Sequence, residues 1–82
     1  PTVRGSKHLR GLMTARSEGY RSCVVFVIQR SDADSLTVQA GSDSEFARTL
    51  CKAIEEGVEA YAYTCKVTKE RIQIHKAVPI NL

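Results

Sequence analysis

The 82-residue sequence has no tryptophan, only two prolines and no long apolar run. Its longest apolar stretch, Cys23 to Ile28, has six residues, whereas a membrane-spanning helix needs roughly 20. No secretory signal pattern is present, because this run is too short and too deep in the chain. With 43% apolar and 26% charged residues, the composition excludes collagen-like, disordered and disulfide-rich classes. We therefore expect a cytoplasmic protein with no membrane contact.

Cysteines are few, and their spacing does not indicate a metal site. Cys23, Cys51 and Cys65 form no C-x-x-C pair, and His8 and His75 lie far from all of them. Zinc-ligand spacing is therefore absent, and we predict no metal ligands and no cofactor within these residues. The cysteines are expected to be small buried side chains in a reducing compartment.

Common catalytic motifs are also missing. The sequence contains no Walker loop, G-x-G-x-x-G, H-E-x-x-H, G-x-S-x-G or Asp/Glu-x-Lys triplet. Asp32 and Asp34 lie one residue apart and could share a divalent cation. Because no further ligand spacing follows them, solvated loop carboxylates are the favoured interpretation.

The length allows one small core. A chain of this size buries only about 60–65% of its unfolded surface, so residues 1–82 are predicted to form a single α/β domain. The sequence begins with Pro1 rather than Met, and we expect it to be the C-terminal portion of a longer protein.

Charge is distributed unevenly behind a net charge of +3. Residues 1–30 contain six Lys/Arg and one acid, residues 31–60 two Lys/Arg and seven acids, and residues 61–82 four Lys/Arg and one acid. A basic first third is typical of a surface that faces a polyanion. A solvated helix face balanced by the acidic middle is the alternative, and on charge alone it is the commoner case.

Periodicity predicts a helix over about residues 2–18, which ends at Gly19. Its core face contains Leu9, Leu12, Met13 and Arg16. Residues 22–29 are predicted to form a central strand, because an apolar run on both alternating faces is typical of a strand covered on both sides. A polar loop follows over residues 31–42.

The second half predicts a helix, two strands and an extended tail. A Ser42-x-x-Glu45 capping box, with Asp43 as a competing cap, begins the helix, which ends near Gly57. Its predicted core face is Phe46, Leu50, Ala53 and Ile54.

The strand over 58–67 has Tyr61, Tyr63, Cys65 and Val67 on one face. A turn leads to a strand over 71–75 with Ile72 and Ile74 inward, and Pro79 places the tail at a sheet edge. The order α-β-α-β-β favours a parallel crossover followed by a hairpin.

Two clusters could contact a ligand. Arg4, Lys7 and His8 share one face near the positive start of the first helix, where cations and free amides can bind phosphate. Gln29 and Arg30 follow the central strand directly, and ligands gather at the carboxyl ends of strands in open α/β sheets. The alternative for the helix cluster is a set of solvated surface residues. The alternative for Gln29 and Arg30 is the ordinary polar end of a strand.

Several short strings occur in a characteristic order over nearly the whole chain. They are Thr2-x-Arg4-Gly5-x-Lys7-His8-Leu9, Gly19-Tyr20-Arg21, Val25-Phe26-Val27-x-Gln29-Arg30, Asp32-Ala33-Asp34, Asp43-x-x-Phe46, Ala53-x-x-x-Gly57-Val58-Glu59-Ala60, Ala62-Tyr63 and Val78-Pro79-Ile80-Asn81-Leu82. Each string is modest alone, but the ordered set resembles the C-terminal part of the sugar fermentation stimulation protein A family.

This resemblance implies a restriction-endonuclease-like α/β fold, a mixed sheet flanked by helices, preceded in full-length members by an OB-like barrel that is absent here. It implies a DNA-binding protein that regulates sugar (maltose) metabolism in bacteria or archaea. The family also resembles PD-(D/E)xK nucleases. Its members usually carry a Glu-x-Lys strand and a further acid just before the Thr-x-Arg-Gly string, and this sequence starts after that point.

Three hypotheses follow. The first is a domain that binds double-stranded DNA with little sequence preference, through Arg4, Lys7, His8, Arg10, Gln29 and Arg30. The second is a Mg²⁺-dependent nuclease whose acidic residues lie upstream, with Lys7, His8 and Gln29 in supporting roles and this portion inactive alone. The third is a protein-interaction module that uses the acidic helix over 43–59; its apolar residues are expected in the core, which argues against it.

Overall fold

A computed structural model describes residues 2–38 and 44–82. Two helices and five strands follow one another along these ranges. They are α1 (Thr2–Ser17), β1 (Cys23–Ile28), β2 (Leu36–Thr37), α2 (Ser44–Glu55), β3 (Glu59–Val67), β4 (Ile72–Val78) and β5 (Ile80–Asn81). The predicted α-β-α-β-β order is confirmed, with β2 and β5 as two-residue additions.

Both helices end at the predicted glycines. Gly19 has a φ of 98° and Gly57 a φ of 101°, a left-handed conformation that glycine adopts without a Cβ penalty. Tyr20 N donates to Ala15 O and Gly19 N to Arg16 O, while Val58 N and Gly57 N make the equivalent bonds in α2. This pair of bonds is the Schellman motif, which satisfies the last carbonyl groups of a helix and redirects the chain into the next strand.

The main sheet has the strand order β1-β3-β4. β1 runs parallel to β3, from Cys23 opposite Glu59 to Ile28 opposite Thr64. β4 runs antiparallel to β3, with a register irregularity at Thr64/Cys65. The predicted parallel pairing through α2 and the predicted hairpin are therefore confirmed.

The core lies between the two helices and one face of this sheet. Leu9 of α1, Leu50 and Ala53 of α2, and Val58 and Ala62 beside or within β3 are all buried. The rings of Phe26 and Phe46 meet edge to face, with centroids 6.3 Å apart, which joins β1 to α2. Small side chains on β3, such as Ala62, let the helices pack closely on this face.

The opposite face of the sheet is open, which corrects three predictions. Val25 and Val27 are about half exposed, and Ile72 and Ile74 are more exposed still. β1 is thus not covered on both sides, Ile72 and Ile74 do not point inward, and Cys23 is exposed. The physical reason is that both helices pack on the face of Phe26 and Ala62, and alternate residues of a strand point to opposite faces.

The strand β1 was predicted to be central, but it occupies one edge of the three-stranded sheet in the described ranges. Ile54, predicted in the core face of α2, is 37% exposed at the margin of the core. Ser42 and Asp43, the predicted capping residues, lie outside the described residues.

The predicted polar loop over 31–42 contains a short strand. Within it, β2 pairs with β5 in parallel, with Leu36 opposite Ile80. Leu36 N donates to Pro79 O and Val38 N to Asn81 O, both at 2.9 Å. The extended tail is therefore paired with this loop, a contact that residue type alone does not indicate. No helix in the described ranges is long and apolar enough to cross a membrane.

Candidate nucleic-acid interface

Topology brings the starts of both helices to one end of the sheet. A Cβ on Gly5 of α1 would lie 2.9 Å from the Phe46 ring of α2, and that ring contacts Phe26 in the second half of β1. We call this the carboxyl end: the first turns of α1 and α2, the ends of β1 and β3, and the turn over 68–71. The opposite side, where β1 and β3 begin, is the amino end.

Arg4, Lys7 and His8 all lie exposed in the first half of α1. They stand on the side of the helix opposite Leu9, which is 2% exposed. No ion pair among the described residues joins any of the three to a carboxylate. The three predicted side chains therefore lie exposed together toward the carboxyl end.

Arg10 differs from this cluster. Its Nη1 atom lies 3.7 Å from Glu45 Oε1, with both side chains more than half exposed. Such surface pairs contribute about 0–1 kcal/mol, so the contact links α1 to α2 without holding Arg10 firmly. Arg10 is thus partly committed to a structural contact.

Gln29 and Arg30 are exposed directly after β1. Arg30 Nε and Nη2 donate to the two carboxylate oxygens of Asp32, at 3.1 and 2.9 Å. These hydrogen bonds lower the pKa of Asp32 and raise that of Arg30. Arg30 therefore occupies the predicted place with its guanidinium already bound to a carboxylate.

Asp34 also has a cationic partner. Lys76 Nζ donates to Asp34 Oδ1 at 3.1 Å. The two loop carboxylates are therefore paired with different cations rather than with each other. No group of three or more His, Cys, Asp or Glu in the described ranges could hold a metal ion.

At the amino end lies a polar network that sequence reasoning missed. Arg21 Nε and Nη2 donate to Glu59 at 2.5 and 2.8 Å, and the Tyr61 hydroxyl also donates to Glu59. These bonds, that of Arg21 foremost, lower the pKa of Glu59 to about 2. The bond to Glu59 also raises the pKa of Tyr61. The three residues meet because β1 and β3 start side by side. No local sequence pattern indicates this register.

An apolar groove of about 550 Å³ runs between α2, β3 and the C-terminal strands. Ile54, Tyr61 and Leu82 are among its lining residues. It contains none of the residues predicted to bind a ligand.

Comparison with known proteins identifies the chain's relatives. The family described as sugar fermentation stimulation protein RE domain matches residues 1–71. The sugar fermentation stimulation protein homolog of Desulforamulus reducens is 48% identical over all 82 residues, which span 34% of that protein. The homolog of Moorella thermoacetica is 44% identical over the same residues, which span 35% of it.

A solved structure agrees with the fold. Pyrococcus furiosus SfsA, in complex with Ca²⁺, superposes with a TM-score of 0.89 at 24% identity, over the whole of this chain and 36% of that one. The predicted restriction-endonuclease-like fold, a mixed α/β sheet flanked by helices, is confirmed. The chain spans about a third of the length of the curated relatives it matches.

Proposed function

The chain belongs to the sugar fermentation stimulation protein family, and on that premise we propose that it binds the phosphate backbone of double-stranded DNA with little sequence preference. The DNA contact would serve regulation of sugar metabolism, in keeping with the name its relatives carry.

One observation carries this proposal: Arg4, Lys7 and His8 are exposed together at the start of α1, with no carboxylate paired to them in the described part of the chain. Without such a partner, the Arg4 and Lys7 cations are free to bind an external anion. The partial positive charge at the start of a helix adds to their field.

The chemistry of this cluster fits a phosphate backbone. Each phosphate that Lys or Arg neutralises releases condensed counterions, so binding is strong at low salt and indifferent to sequence. Guanidinium and ammonium groups position a protein on the duplex without reading its bases. Gln29 lies at the same end of the sheet and adds an amide, whereas Arg30 must first exchange Asp32 for a phosphate.

The test is the salt dependence of affinity for labelled duplexes of unrelated sequence, measured by fluorescence anisotropy with the protein at its full natural length. We expect Arg4→Ala with Lys7→Ala to lower the slope of log affinity against log salt by about 1.8, since each lost phosphate contact removes about 0.9. The control is Arg16→Ala with Lys52→Ala, which removes the same charge from the last turns of the two helices. An unchanged slope in the first variant, or an equal loss in the control, would contradict the proposal.

A second candidate, a metal-dependent nuclease, is favoured by the Ca²⁺ in the Pyrococcus furiosus relative. No group of three or more His, Cys, Asp or Glu among the described residues could hold a metal ion, so such a site would need ligands from outside them. In that case Lys7, His8 and Gln29 would have only supporting roles in the reaction. Nicking of supercoiled DNA by the full-length protein with Mg²⁺ or Mn²⁺ would establish this activity, and DNA binding without nicking would leave the regulator.

A further inference from the structure

The hairpin of β3 and β4 extends past the end of its neighbouring strand. β1 ends at Ile28, opposite Thr64, but β3 continues to Val67 and pairs with β4 as far as Ile72. Three further residues at about 3.4 Å each carry the hairpin about 10 Å beyond β1. Residues 65–74 therefore form a two-stranded ribbon at the carboxyl end, which we call the basic ribbon.

The tip of the basic ribbon is a hydrogen-bonded turn. Thr68 N donates to Arg71 O at 2.9 Å. The Thr68 hydroxyl accepts from Arg71 N at 3.2 Å and from Glu70 N at 3.4 Å. A threonine that binds the backbone of its own turn mimics a further turn of main chain. The side chains at the tip therefore project from a turn with several internal hydrogen bonds.

Three cations stand on this ribbon against one acid. Lys66, Lys69 and Arg71 are all exposed, as is Glu70. Across the described ranges, no ion pair involves any of the three cations. Lys76, farther along β4, is by contrast paired with Asp34. The unpaired positive charge of the last third of the sequence is therefore concentrated on the ribbon.

We propose that the basic ribbon is a second contact for duplex DNA, with Lys66, Lys69 and Arg71 on its phosphates. This inference rests on the proposed function and deepens it, because the ribbon lies at the same end of the sheet as Arg4 and Lys7. The major groove of B-DNA admits a two-stranded ribbon, and cations at its tip and on one side would meet the phosphates that border the groove. Binding then has two separate points, which orients the duplex across the carboxyl end.

The test compares three variants of the full-length protein: Lys69→Ala with Arg71→Ala in the ribbon, Arg4→Ala with Lys7→Ala in α1, and Arg16→Ala with Lys52→Ala as the charge-matched control. The ribbon variant keeps the bonds of the turn, because Thr68 binds the main chain of residues 70 and 71. A thermal melt checks that its fold is intact.

We expect the ribbon variant to lower the salt slope for duplex DNA by about 1.8, as two lost phosphate contacts require, while the control changes it little. If the ribbon variant has the wild-type salt slope while the α1 variant loses affinity, this inference is overturned and the proposed function stands. Wild-type protein that binds no duplex at low salt would overturn both. An equal loss in ribbon and control variants would show a general charge effect and also overturn it.

Discussion

Arg21 at one end of the sheet and Arg4 and Lys7 at the other differ in whether a carboxylate binds them. At the amino end, Arg21 is bound through two nitrogens to Glu59, which also accepts from Tyr61. At the carboxyl end, Arg4 and Lys7 have no such partner among the described residues. The number of basic residues therefore says less about binding than the placement of the acids.

The amino end is shaped by internal contacts. A Cβ at Gly57 would lie 2.8 Å from Arg16 Nε, and Glu59 N donates to Ser22 O across the start of the sheet. The Arg21–Glu59 pair joins the segment before β1 to the start of β3. At the carboxyl end, Arg30 is bound to Asp32, whereas Arg4 and Lys7 have no carboxylate partner among the described residues and are available to an external anion.

The largest expected effect tests the amino end as a structural region. Gly57→Ala would place a Cβ at a φ of 101° and against Arg16, which we expect to cost about 1–3 kcal/mol of unfolding free energy. Urea denaturation measures it. The matched control is Gly11→Ala, where a Cβ meets nothing within 4 Å and helix propensity predicts a gain of up to about 1 kcal/mol. Equal effects of the two substitutions would contradict this assignment.

An intermediate effect tests Arg30 at the carboxyl end, whose guanidinium is bound to Asp32 two residues away. Asp32→Asn removes the carboxylate bound to Arg30, and the freed guanidinium should add one phosphate contact. We expect the salt slope for duplex DNA to rise by about 0.9, read in the same anisotropy titration. Asp34→Asn makes an equal change in charge but frees Lys76 instead. If both variants gain equally, net charge rather than Arg30 is responsible.

The smallest effect concerns pH at the amino end. Because the folded state lowers the pKa of Glu59 from 4.5 to about 2, its contribution to stability is present above pH 4.5 and is lost as the pH falls toward 2. We expect the Tm difference between wild type and Glu59→Gln to narrow over that range. Glu56→Gln serves as the control outside this network. A Tm difference that stays constant with pH would contradict this prediction. A DNA affinity that rises in Glu59→Gln, as we expect in Asp32→Asn, would contradict the proposed difference between the two ends.

Local signals predicted much of the fold and the exposed cluster on α1. Gly19 and Gly57 marked both helix ends because each motif depends on a few adjacent residues. Arg4, Lys7 and His8 share a side because helix periodicity requires it. The pairing of Arg30 with Asp32 was not predictable in this way. Whether the guanidinium contacts water or a nearby carboxylate depends on the path of the loop.

The features that the sequence did not predict depend on contacts between residues far apart in the chain. The meeting of Arg21 with Glu59, 38 residues apart, depends on the parallel register of β1 and β3. The pairing of β2 with β5 joins a loop to the C-terminal tail. The prediction that β1 is covered on both sides was wrong. An apolar run shows only that a strand can be covered on both sides, and the packing of the helices decides which side they cover.

By itself, the sequence determined the order of elements, the helix ends, the uneven distribution of charge and the family resemblance, because each follows from residues close together or from an ordered set of short strings. Only the tertiary structure decided which charges are paired, which face of the sheet is open and which basic segments share one end. Those outcomes depend on strand register and helix placement, which bring together residues that lie far apart in the chain.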